Sequence, residues 1–129
     1  MVHALDTSFL IDVLRGHRGA GAKAKVLDAE ETVVAVPAPV LAEFLDGAYF
    51  AGGAYLARAM QLIAGRDVIP FDRECGQMAG QLRADARARG ESLPMIDAMI
   101  ASTALRHHCV LVTGDVGFTR IPGLAVESY

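Results

Sequence analysis

Tryptophan is absent from this 129-residue chain, cysteine occurs only at Cys75 and Cys109, and lysine only at Lys23 and Lys25. The two cysteines show no Cys-x-x-Cys or Cys/His spacing of the kind that holds zinc, and read as core thiols because free cysteine is among the most buried residue types. Aromatic residues are 6% of the sequence, and no platform for stacked bases stands out. Long apolar runs are missing as well. Val33–Val36 and Val110–Val112 fall far short of the roughly 20 residues that span a bilayer, and no basic segment followed by an apolar one opens the chain, so a cytoplasmic protein with no membrane partner is expected. There is no Gly-x-Ser-x-Gly elbow and no phosphate-binding P-loop. A net charge of −3 argues against broad attraction to nucleic acid and leaves room only for a local basic rim.

What is present is apolar: 53% of residues, against 21% charged, enough for a substantial core. The length suits a single domain over residues 1–129. Apolar periodicity, punctuated by glycine and proline, predicts strands at Val2–Asp6, Thr32–Val36, Asp67–Phe71, Cys109–Thr113 and Leu124–Glu127. Between them it predicts helices at Thr7–Arg15, Ala20–Ala29, Pro37–Phe50, Ala54–Ile63, Asp72–Arg89 and Pro94–His107. Pro37 and Pro94 suit first-turn positions, Gly90 a helix end, and Gly52-Gly53 a break between helices. Near-continuously apolar strands alternating with helices imply an α/β fold, three layers deep, with a parallel sheet of about five strands covered on both faces. In such sheets ligands sit beyond the carboxyl ends of the strands, where strand order reverses.

Acidic residues fall at such places. Asp6 closes the first strand, where its bland role is a helix N-cap. Asp115 follows the fourth strand in a glycine-rich turn, where a structural turn role is the commoner one. On the helix from Pro37, Glu43 lies at the margin of the apolar face formed by Val40, Leu41, Phe44, Leu45 and Ala48, whereas Asp46 points toward solvent. Asp97 flanks the stripe of Met95, Ile96, Met99, Ile100 and Thr103, and an acid in a first helical turn is also favoured by the helix dipole.

Four segments, LDTSFLIDVLRG, the Glu in PVLAEFLDG, LPMIDAMIASTAL and LVTGDVGFTRIPGL, resemble the PIN-domain family in their order and spacing, especially its VapC-type ribonuclease toxins of toxin-antitoxin systems. The resemblance covers almost the whole chain. It implies that Asp6, Glu43, Asp97 and Asp115 form an acidic metal site supported by the hydroxyl of Thr113, and that the first and fourth strands are neighbours, about 4.8 Å apart. Carboxylates at that separation repel by roughly 4 kcal/mol per pair at an effective dielectric of 20, which a hard cation, Mg2+ or Mn2+, would relieve. The implied activity is hydrolysis of RNA phosphodiester bonds leaving a 5′-phosphate. The implied partners are RNA, a cognate antitoxin and a second copy of the chain. One departure is visible: a second acid often stands two residues beyond the Asp115 position, and here Gly117 occupies it.

Arg83, Arg87 and Arg89 on one helix, and Arg15, His17 and Arg18 after the first, are candidates to steer a phosphate backbone. Asp12 reads as surface or ion pair. Tyr49, Phe50, Tyr55, Leu56 and Met60 around the glycine break read either as core or as a groove for the antitoxin. Alternatives within the same fold are a housekeeping RNA-processing nuclease and a binding module without turnover. A phosphoacceptor receiver domain is set aside, because it needs a lysine late in the chain.

Overall fold

The computed structural model describes residues 1–129. Its centre is a five-stranded parallel sheet of β1 (Val2–Leu5), β2 (Val33–Pro37), β3 (Asp67–Ile69), β4 (Cys109–Val112) and β5 (Val126–Glu127), in the spatial order β3-β2-β1-β4-β5. The helices are α1 (Thr7–Leu14), α2 (Arg18–Ala29), α3 (Ala38–Ala51), α4 (Gly53–Ile63), α5 (Arg73–Ala88) and α6 (Met95–Arg106), with a 3-10 turn at Val116–Arg120. The chain walks outward from β1 through β2 to β3, then crosses to β4 and β5 on the other side. Parallel crossovers are right-handed as a rule, so crossovers running in opposite directions put helices on both faces, the expected three-layer α/β arrangement. Direction reverses at β1, so the carboxyl ends of β1 and β4 bound the crevice.

The middle strands are apolar because both their faces are covered. Ala4, Leu5, Leu111 and Val112 are buried among Phe9, Leu10, Val40, Phe44 and Ile100 from the helices. Register pairs Leu5 with Val112, and the N–H of Asp6 donates to the Val112 carbonyl at 3.0 Å, so the ladder runs up to the first acid. The short β5 is tied down by Glu127, which accepts from Lys23 Nζ at 2.6 Å and lies 3.2 Å from His3 Nε2.

Element boundaries differ from expectation where a local cause intervenes. The third strand ends at Ile69 rather than Phe71, since Pro70 has no N–H to continue the ladder. The second helix begins two residues early, at Arg18, because the His17 imidazole caps it by accepting from the Ala20 N–H at 3.1 Å. Pro37 ends β2 and caps α3 rather than sitting inside the helix. Gly52 and Gly53 adopt positive φ of 64° and 57°, the left-handed conformation that lets α3 stop and α4 start at once. No helix is long and apolar enough to cross a membrane.

Candidate active site

The resemblance-implied residues come from four separate elements and line one open cleft of about 350 Å3, together with Thr7, Ser8, Ile11 and Phe118. Asp6 stands at the end of β1, Glu43 on α3, Asp97 in the first turn of α6 and Asp115 after β4. Asp46 is exposed.

Asp6 occupies an N-cap position, yet its side chain makes no capping hydrogen bond. It turns instead toward β4, and is only 4% exposed. Thr113 Oγ1 donates to its Oδ2 at 2.6 Å and Ser8 Oγ donates to the same oxygen at 2.8 Å. Each hydroxyl has one proton, so the 3.2 Å contact between Ser8 and Thr113 carries none, and both oxygens are free to accept. They do so from the backbone, Ser8 from the Gly114 N–H at 3.1 Å and Thr113 from the Asp115 N–H at 3.0 Å. Asp6 is thus fixed by bonds that also shape the turn carrying Asp115. Burial raises its pKa, and the bonds from Thr113 and Ser8 oppose that rise.

Glu43 is held at the cleft by Thr7 Oγ1, which donates to its Oε1 at 2.5 Å. Asp115 keeps the turn role as well: its Oδ1 accepts from the Gly117 N–H at 2.8 Å. A Cβ at Gly117 would come to 3.1 Å from that oxygen, so a second acid here would require the Asp115 carboxylate to shift. Asp97 shows what the gathering does. Its pKa is pushed up to about 6, first by burial and then by the charges of Asp115, Asp6 and Glu43.

No three of the acids bring their ligand atoms within 4.8 Å of one another. The trio of acid, thiol and imidazole side chains whose ligand atoms all lie within 4.8 Å of one another is elsewhere, at Asp72, Cys75 and His107. Acids spread around a cleft can hold a strongly hydrated ion, because Mg2+ keeps several waters and takes one or two carboxylates directly. No basic side chain lines the cleft to offset the four acids. This is a donor set of hard oxygens suited to Mg2+ or Mn2+.

Sequence reading missed Ser8 and Thr7, although two hydroxyl residues directly after a strand-end acid were a usable signal. It also missed Tyr129. Asp12, expected at the surface or in an ion pair, is half-buried and accepts from the Tyr129 hydroxyl at 2.7 Å. The Tyr129 ring packs edge-on against Phe9 at 5.1 Å, and burial helps push its hydroxyl up to about 12. It also covers Gly114, where a Cβ would meet the Tyr129 hydroxyl at 2.6 Å. Of the arginines, Arg83 is committed to structure, its Nε donating to the Leu93 carbonyl at 2.9 Å. Arg89 and Arg120 line a second, smaller cavity of about 80 Å3 that adjoins the acidic cleft through Asp97 and Phe118.

Replacing Thr113 by valine keeps the shape and removes one donor and one acceptor. Urea denaturation of Thr113→Val is expected to report a loss of about 1.5–3 kcal/mol at neutral pH, the range for a hydrogen bond to a charged group. Stability equal to wild type would mean that the hydroxyl does not hold the charged Asp6.

A parallel α/β sheet with acids gathered at the carboxyl ends of its central strands defines the class, and the PIN domain profile matches residues 4–124; the chain belongs to that family. It is similar to the ribonuclease VapC2 of Rickettsia felis, 26% identical over 132 residues that cover 100% of this chain and 98% of the relative. The fold is similar to the crystal structure of VapBC2 from Rickettsia felis bound to a promoter DNA fragment, with TM-score 0.87, 25% identity and coverage of 100% and 99%. It is also similar to a toxin-antitoxin complex from Klebsiella pneumoniae, with TM-score 0.74, 25% identity and coverage of 95% of each chain.

Proposed function

We propose that this chain, acting as one domain over residues 1–129, is a metal-dependent ribonuclease and the toxin of a toxin-antitoxin pair. The observation that carries the proposal is the convergence of Asp6, Glu43, Asp97 and Asp115 on one cleft that holds no basic side chain. These carboxylates are the proposed holders of Mg2+ or Mn2+. When bound, the cation polarises a phosphoryl oxygen and lowers the pKa of a coordinated water.

The remaining work falls to the chain. Thr113 and Ser8 occupy Asp6 Oδ2, which fixes the carboxylate in one orientation toward the cleft. Thr7 does the same for Glu43. Asp97, partly buried and crowded by the charges of Asp115, Asp6 and Glu43, gains most from a cation and is placed to help hold it. Arg89 and Arg120, beside the cleft, are placed to meet the flanking phosphates of an RNA strand. Hydrolysis without a side-chain nucleophile would leave a 5′-phosphate and a 3′-hydroxyl.

The toxin assignment is supported by the names of the relatives and by one surface. Phe50 is 94% and Tyr49 60% exposed, next to Met60 at 43%, whereas Tyr55 and Leu56 pack partly against the core. Side chains of this kind on α3 and α4 suit burial against an antitoxin helix or a second copy of the chain. A cytoplasmic setting is part of the same proposal, because a toxin that arrests its own host meets its RNA there.

Induction of the chain alone in a bacterial host is expected to arrest growth and to generate RNA fragments with 5′-phosphate ends, with relief on co-expression of the small protein encoded beside it. RNA cleavage without arrest would replace the toxin by a housekeeping nuclease, and neither effect would leave a binding module.

A further inference from the structure

The end of β3, the start of α5 and the end of α6 bring three unlike donors together, although they are spread over 36 positions of sequence from Asp72 to His107. Asp72 caps α5 through Oδ1, which accepts from the Cys75 N–H at 3.0 Å. Its Oδ2 faces His107 Nε2 at 3.8 Å, beyond hydrogen-bond reach. Cys75 is fully buried, and its thiol lies 3.8 Å from the Pro70 carbonyl, with the Asp72 and Thr103 side chains also beside it. His107 Nε2 lies 3.1 Å from that same carbonyl. A thiol, an imidazole nitrogen and a carboxylate from separate parts of the fold thus face one another around the Pro70 carbonyl.

We propose that Asp72, Cys75 and His107 form a structural site for a zinc-class divalent cation, with the Pro70 carbonyl or a water as fourth ligand. The ligand atoms lie within 4.8 Å of one another. Tetrahedral zinc, with bonds of about 2.0–2.3 Å, sets its ligands roughly 3.3–3.6 Å apart. Small side-chain rotations at the half-exposed His107 and the exposed Asp72 close that difference. A sulfur and an imidazole nitrogen select zinc or cobalt over magnesium. Binding forms a metal–sulfur bond and expels the Cys75 thiol proton to solvent. The site is separate from the acidic cleft: His107 follows Asp97 by ten residues, about 15 Å at the helical rise, and lies at the opposite end of α6. Its role is to pin the edge strand β3 to the α5–α6 pair, and it stands whether or not the cleft cuts RNA.

Cobalt is the probe, because a thiolate–Co2+ bond gives a near-ultraviolet charge-transfer band that carboxylates do not. Titration of Co2+ into the full chain under a non-thiol reductant is expected to raise that band to one ion per chain. The band is expected to persist in Cys109→Ala, to vanish in Cys75→Ala and to need about tenfold more Co2+, or beyond, in His107→Ala, with zinc displacing it. No band in the wild-type chain, or a band that survives in Cys75→Ala, overturns the proposal. His107→Ala, changed at the surface, keeps the test decisive if Cys75→Ala fails to fold, since an unaltered Co2+ affinity there also overturns it.

Discussion

Asp97→Asn is expected to lower metal-dependent RNA cleavage by about 100-fold or more, the scale on which loss of one group that stabilises developing charge acts. The same variant is expected to make the metal-free protein more stable. Both effects have one cause: Asp97 sits partly buried among Asp115, Asp6 and Glu43, and its charge is unfavourable until a cation arrives. A shift from 3.8 to about 6 corresponds to roughly 3 kcal/mol, which solvent in the open cleft screens to about 1–2 kcal/mol. Removing the charge therefore relieves strain that the reaction uses. An acid present only as a first-turn helix stabiliser behaves in the opposite way, since its loss would destabilise the helix and leave cleavage intact.

The second large effect is the coupling of stability to pH and metal. Asp97 has a raised pKa in the folded state, so between about pH 3.8 and 6 the folded chain keeps a proton that the unfolded chain has lost. Its contribution is complete below that window and disappears as pH rises through about 6. The stability of wild type relative to Asp97→Asn, measured by urea denaturation in chelator, is expected to fall across the window and level off above it. Asp72 and Glu127, whose pKa values are lowered, titrate in the opposite sense in both proteins and cancel in the comparison. At neutral pH, Mn2+ at a hundred times its dissociation constant is expected to add about 2.7 kcal/mol to the wild type. A wild-type stability indifferent to Mn2+ would mean that the acids do not hold the ion.

The central elements were legible, because β1, β2 and β4 are short apolar runs and α3 carries a clear apolar stripe, whereas on α6 Met95 of the expected stripe is exposed and the buried face runs through Ala98, Ile100, Ala101 and Thr103. Boundaries moved where one side chain decided them, as at Pro70 and His17. The adjacency of the first and fourth strands came with the family resemblance, since periodicity carries no strand order. Within the cleft, the sequence left Asp6 open between a helix cap and a site residue. What separates the two is the direction of one side chain, and that depends on Thr113, 107 positions away. Tyr129 on Asp12, 117 positions apart, was invisible for the same reason. The pairing of Cys75 with His107 escaped spacing rules because the fold, and no local motif, brings them together.

The most direct measurement is the rate at which the purified chain cleaves single-stranded RNA in Mn2+, compared with Asp6→Asn, Glu43→Gln, Asp97→Asn and Asp115→Asn and with a chelator control. Cleavage abolished by the chelator and reduced at all four positions, by about 100-fold or more at Asp6 and Asp97, is the predicted result. Cleavage that survives the chelator, or that proceeds at the wild-type rate in Asp6→Asn and Asp97→Asn, would contradict the assignment of the acidic cleft as the catalytic metal centre.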